Sequence, residues 1–206
     1  YAESEPVTIR ALAIQEKVFG PEDPGLGPTL TNLGRIYKKL NRHAESESNL
    51  KRALVIYEKA YGPDHPDVAG ALHSLANLYQ EQARFGEAEA FIKRTLEIEE
   101  RVLGPDHPEF ASSLSDLAAL YYLEGRYSES ESAHKRALEA RIKALGPEHP
   151  LVADTLNNFA VLYAAQRKNA DAESLHRRAL AIHEKSGGPD HPDVALDLGN
   201  LGQIYM

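Results

Sequence analysis

Gly62-Pro63-Asp64-His65-Pro66-Asp67-Val68-Ala69 returns with small changes at Gly20, Gly104, Gly146 and Gly188, each glycine 42 residues after the last. The apolar residues between the glycines recur in step, so one supersecondary unit is repeated, and self-similarity at such a period marks a solenoid. Full units span 20–61, 62–103, 104–145 and 146–187. Residues 1–19 match the second half of a unit, with Ala11, Leu12 and Ile14 standing where Ala53, Leu54 and Ile56 stand. Residues 188–206 match the first half. Residues 1–206 therefore read as one array in which each unit covers its neighbour.

Within the unit at Gly62, Val68, Leu72, Leu75, Ala76 and Tyr79 fall at helical spacing and define one apolar stripe. Pro66 suits the first turn of this helix, and Asp67 places a negative charge at the positive end of its dipole. The helix is expected to end near 81–84, where Gly125 of the next unit suggests a left-handed turn and Asn41, Ala83 and Arg167 occupy the same place elsewhere. A longer second helix follows, with Ala88, Ile92, Thr95, Leu96 and Leu103 inward, and stops at Gly104-Pro105. The two helices of a unit are called A and B below.

Helix B repeats a carboxylate four residues before a cation in Glu47/Lys51, Glu89/Lys93, Glu131/Lys135 and Glu173/Arg177. Such pairs contribute about 0.2–0.5 kcal/mol each. Together with doublets such as Lys51-Arg52 they read as a solvated face.

The chain has 31 acidic against 23 basic residues, a net charge of −8, which disfavours nucleic acid as a partner. With no cysteine, disulfide frameworks and thiolate chemistry are excluded, and the cytoplasm is the default compartment. No apolar run approaches the length of a membrane span. The opening Tyr1-Ala2-Glu3 lacks an initiator methionine and reads as a fragment or processed product.

No nucleophile elbow, phosphate loop, dinucleotide fingerprint or metalloprotease motif occurs, so neither catalysis nor a cofactor nor a metal is expected. His65, His107, His149 and His191 lie one repeat apart, too far for neighbouring copies to share an ion at bonds of about 2 Å. They are expected to satisfy backbone groups at the helix starts. His134 and His176 replace Leu50 and Ile92 at an inward position, where individually satisfied histidines and a pH-sensitive pair are both open.

Two helices per unit with small residues at their crossing resemble the tetratricopeptide repeat (TPR). The residues that carry the likeness are Leu33-Gly34 with Tyr37, Leu75-Ala76 with Tyr79, Leu117-Ala118 with Tyr121, Phe159-Ala160 with Tyr163 and Leu201-Gly202 with Tyr205. In helix B the small pairs are Ser46/Ala53, Ala88/Thr95, Ser130/Ala137 and Ala172/Ala179. The 42-residue variant, with Gly-Pro-Asp-His-Pro and Lys-Arg-Ala-Leu-x-Ile, is similar to the repeats of kinesin light chains. The resemblance implies an all-α fold, an alpha-alpha superhelix (TPR solenoid) of stacked antiparallel helix pairs. It further implies a scaffold that binds a peptide or protein segment in a concave groove lined by the A helices.

Carried over position by position, the groove falls on Thr31, Asn32, Arg35, Lys38 and Lys39, then on His73, Ser74, Asn77, Gln80 and Glu81. It continues through Ser115, Asp116, Ala119, Tyr122 and Leu123, then Asn157, Asn158, Val161 and Ala164, and finally Gly199, Asn200 and Gln203. Asn32, Asn77, Asn158 and Asn200 each donate and accept, as a clamp on a peptide backbone requires. Charge changes from Arg35, Lys38 and Lys39 to Glu81, Asp116 and Asp154, so the expected ligand is acidic over the first unit and apolar or aromatic near Tyr122 and Leu123. The alternative is a structural spacer or oligomerisation segment using its ends, because Leu198, Leu201, Ile204 and Tyr205 have no helix B behind them. End-to-end self-association is the contact this implies.

Overall fold

The structure is a computed structural model describing residues 1–205. Among these the regular elements are all helical, and they fall into two compact units, Tyr1–Val102 and Leu103–Met206. The first contains α1 (Ser4–Phe19), a short 3-10 helix (Pro24–Leu26), α2 (Gly27–Lys39), α3 (His43–Tyr61), α4 (Pro66–Glu81) and α5 (Phe85–Val102). The second contains α6 (Pro108–Leu123), α7 (Tyr127–Leu145), α8 (Pro150–Ala165), α9 (Asn169–Gly187) and α10 (Pro192–Ile204). Each of the A helices α2, α4, α6 and α8 packs most extensively on its own helix B, as in α4 with α5 and α6 with α7. Residues 1–19 contain α1 alone, and residues 188–205 contain α10 alone.

The glycine-proline joint performs two tasks. Gly20, Gly62, Gly104, Gly146 and Gly188 have φ between 84° and 93°, a region open essentially to glycine alone. In four of the five joints the histidine before the second proline caps the next helix. The Nδ1 atoms of His65, His107 and His149 accept from the backbone N–H two residues on at 3.2 Å, and that of His191 does so at 3.3 Å. In the first joint Asp23 takes the role, accepting from Gly25 N–H at 2.8 Å. Pro28 has no N–H to return to Pro24, so the chain there tightens into a 3-10 turn before α2 begins.

The A–B turns are left-handed at Gly125 (φ 73°) and equally at Asn41, Ala83 and Arg167, with φ of 58°, 56° and 58°. For Ala83 and Arg167 that conformation costs about 1–2 kcal/mol. The turn is held by backbone bonds such as Arg84 N–H to Tyr79 O at 2.9 Å.

Every residue of the predicted α4 stripe is buried, as are Ala69, Ala71 and Leu78. The stripe is wider than a single partner needs because α4 packs on α3 as well as α5. At the helix crossing Gly34 faces Leu50, where a Cβ would meet the side chain at 2.6 Å. Ser46 Oγ donates to Gly34 O at 2.7 Å, and Ser130 Oγ to Ala118 O at 2.8 Å. One expectation is corrected: Leu103 lies beyond the end of α5 and is half-buried, while Ile98, 2% exposed, belongs to the inward stripe of that helix.

Candidate functional site

In the first unit Thr31, Asn32, Arg35 and Lys38 share one face of α2, and His73, Ser74, Asn77 and Gln80 one face of α4, by their spacing of one, three or four residues. Thr31 and Arg35 line two cavities. One, of about 650 Å³, lies among α1, α2 and α4 and includes Asn32, Tyr57, Asp67 and Gly70. The other, of about 420 Å³, includes Lys38, Lys39, His73, Ser74 and Asn77. Lys38 Nζ is 2.9 Å from Glu81 Oε1, so the cation and the carboxylate read as opposite ends of a charge gradient neutralise each other. Arg35 and Lys39 have no ion-pair partner among the described residues, and α2 contains no acidic residue.

The second unit differs. Helices α6, α8 and α10 carry no lysine or arginine. Ser115 donates its hydroxyl back to Ala111 O at 2.9 Å, while Asp116 and Tyr122 are half-buried. The Tyr122 ring lies 6.0 Å from that of Tyr127, beside the exposed Leu123. Asn158 is exposed and Asn200 half-buried. Asn157 is committed elsewhere: its Nδ2 donates to Asp197 Oδ1 at 2.5 Å, and its Oδ1 accepts from His176 Nδ1 at 2.8 Å.

Helix B also reaches this face, which sequence reasoning missed. Tyr57, Glu99, Arg141 and His183 occupy one repeat position and are all nearly buried. The Tyr57 ring fills the space beside Gly27, where a Cβ would lie 2.1 Å from its Cζ. Burial pushes the Tyr57 hydroxyl up to about 12. Arg141 passes from α7 between two A helices, donating to Ser112 Oγ at 3.0 Å, Thr155 Oγ1 at 2.5 Å and Leu151 O at 3.1 Å. His183 Nδ1 meets Asp197 Oδ2 at 2.7 Å, and its Nε2 stands 3.8 Å from Asp154 Oδ1. Asp197 is fully buried, so a chain of polar groups runs from Asp154 through His183, Asp197 and Asn157 to His176. The signal was available: a polar column at 42-residue spacing, different in every repeat, on an otherwise apolar stripe.

A second missed feature joins successive repeats. The four predicted ion pairs within helix B form at 2.6–2.8 Å, yet their carboxylates are largely covered rather than solvated. Glu47 also accepts from Tyr79 Oη at 2.8 Å and from Arg84 at 2.9 Å, and the Arg84 guanidinium lies 3.9 Å above the Tyr79 ring. Burial alone would raise the Glu47 carboxyl, but hydrogen bonds from Lys51, Tyr79 and Arg84 outweigh it and hold the group at about 2. Glu131 makes a looser version with Tyr163 at 3.3 Å and Lys168 at 3.6 Å, and Glu173 bonds Tyr205 at 2.7 Å. The carboxylate and tyrosine are 32 residues apart in each case.

The two inward histidines sit in separate environments. His134, 2% exposed, stacks on Phe159 at 5.3 Å, and burial lowers its pKa to about 4. His176 is also lowered, by burial against a smaller opposing effect of Asp197. Among the described residues no three histidines or carboxylates are placed to hold a metal ion, and no helix is long and apolar enough to cross a membrane.

Stacked antiparallel helix pairs with small residues at the crossings define a helical-repeat scaffold. The tetratricopeptide repeat profile matches residues 1–59, 39–101, 67–143, 109–185 and 157–206, and the chain belongs to that family. Among solved structures it is similar to BtubC (BKLC) from P. vanneervenii, with 24% identity, a TM-score of 0.83, and 98% of this chain and 81% of that one covered. It is also similar to nearly identical TPR-like repeats of a kinesin light chain-like protein from Podosopora anserina, at 24% identity and TM-score 0.77 over 88% and 86%. The apo form of RapI matches at 16% identity and TM-score 0.78 over 97% of this chain and 53% of that one. At these identities the likeness concerns the fold. No curated protein matches significantly. Arrays of this family are protein-interaction modules and generally non-catalytic scaffolds.

Proposed function

We propose that this chain binds an extended peptide or protein segment along its A-helix faces, with acidic residues of the ligand against α2 and α4. The observation that carries the reading is Arg35, an exposed guanidinium lining two cavities and lacking an acidic partner among the described residues. Lys39 adds a second such cation, and Asn32 and Asn77 offer paired donors and acceptors to a peptide backbone. In the second unit Tyr122 and Leu123 offer an apolar or aromatic contact, and Asn158 on α8 and Asn200 on α10 offer further amides. The net charge of −8 favours peptide over nucleic acid, and the cysteine-free composition suits the cytoplasm, the setting we propose.

Fluorescence polarisation with an acidic, aromatic-containing probe peptide tests this. Arg35→Glu is expected to weaken binding at least tenfold and Tyr122→Ala several-fold, while unchanged affinity in both variants refutes the reading.

A further inference from the structure

We propose that the second unit takes a basic side chain of its peptide ligand, a lysine ammonium or an arginine guanidinium, between Asp154 on α8 and His183 on α9. The inference rests on the peptide reading above for the class of ligand, and assigns a contact in the second unit that the reading leaves open.

The geometry sets two acceptors facing each other without a donor. Asp197 is a fully buried carboxylate, able only to accept, and its Oδ2 lies 2.7 Å from His183 Nδ1, so that nitrogen carries the ring proton. In the neutral ring Nε2 is then an acceptor. His183 is 3% exposed, and its Nε2 has no hydrogen-bond partner among the described residues and stands 3.8 Å from Asp154 Oδ1. A nitrogen donor at about 2.9 Å from each atom spans that gap. The Asp154 side chain is 53% exposed, so a cation drawn to it from solvent reaches the imidazole by moving one surface rotamer.

The preceding repeat fills the same place with a cation of its own. Arg141 stands 42 residues before His183, and Ser112 and Thr155 stand 42 before Asp154 and Asp197. The Arg141 guanidinium bridges those two, donating to Ser112 Oγ at 3.0 Å and Thr155 Oγ1 at 2.5 Å. Histidine is shorter and meets only Asp197, while the residue at the Ser112 position has become a carboxylate. Charge points the same way. Burial pushes the Asp154 carboxyl up, and repulsion from Asp193 and Asp197 adds to this against the opposing His183 and Arg141. Neither α8 nor α10 carries a lysine or arginine to offset it.

Fluorescence polarisation with labelled hexalysine at pH 8 is expected to show binding that the Nε-acetylated peptide lacks. Asp154→Asn is expected to weaken it about fivefold through loss of one charge-assisted contact, whereas Asp171→Asn, an exposed carboxylate at the start of α9, changes it by less than about twofold. Both side chains are exposed, so circular dichroism is expected to be unchanged. By 15N NMR the His183 Nε2 resonance is expected to move as hexalysine is added to the wild type and to stay in place in Asp154→Asn. Absent binding, equal losses in the two variants, or an unmoved Nε2 resonance overturns the site. The acidic probe peptide separates this claim from the peptide reading. If it binds while hexalysine fails these tests, the basic-side-chain site alone falls; if hexalysine passes while the acidic probe is inert, the acidic contact at α2 and α4 alone falls.

Discussion

The first full repeat and the last two use the same helix-B position in opposite ways. In the first, Tyr57 fills the space beside Gly27 with an aromatic ring, and the inward position 50 is leucine. In the last two, Arg141 and His183 occupy that position, and positions 134 and 176 are histidines. Apolar filling needs only the right volume, whereas a buried polar chain needs its donors matched. One backbone therefore supports a tolerant interior in one repeat and an exacting one in others.

The sharpest break of this contrast is Asp197→Ala, which strands the facing donors of His183 and Asn157 away from water. Each stranded group costs about 1–3 kcal/mol, so a loss of about 4 kcal/mol is expected, read as hydrogen exchange accelerating in α9 and α10 and not in α2–α4. Acid gives the next effect. The folded pKa of His134 lies at about 4, below its ordinary 6.5, so its neutral form favours folding fully above pH 6.5. That contribution, about 3 kcal/mol as an upper figure, is lost as pH falls from 6.5 towards 4. His134→Leu, the residue of the first repeat at Leu50, is expected to flatten the slope in urea titrations at pH 7 and pH 4.5.

Gly27→Ala tests the apolar repeat. Its Cβ would overlap the Tyr57 ring, and overpacking of this kind costs about 2 kcal/mol. The double variant with Tyr57→Ala is expected to recover much of the Gly27→Ala loss relative to Tyr57→Ala alone, in a denaturation cycle. Smallest is Glu47→Gln, which weakens bonds from Lys51, Tyr79 and Arg84 and is expected to cost about 1 kcal/mol. Glu131→Gln, in the looser latch, is expected to cost less in the same assay.

The repeat period made the helices, their joints and their order readable before any coordinates, because glycine at φ near 90° and proline after histidine leave the backbone few alternatives. Left-handed Asn41, Ala83 and Arg167 were readable only through Gly125, since alanine and arginine do not ask for that conformation themselves. The Glu47–Tyr79 latch stayed hidden because a local partner, Lys51, already accounted for the glutamate. Positions on the A-helix faces were assigned by register, but register cannot say that Asn157 is occupied by Asp197 and His176 or that Lys38 meets Glu81. Those facts depend on side chains from neighbouring helices.

The inserted column has a consequence for rearrangement. The joints and tyrosine latches are nearly interchangeable, so excising 42 residues would rejoin equivalent backbone and equivalent latches. Tyr57 requires Gly27, Arg141 requires Thr155 and Ser112, and His183 requires Asp197. These pairings give three of the four full repeats an address, and shuffling repeats within the array would seat a side chain against a partner chosen for another.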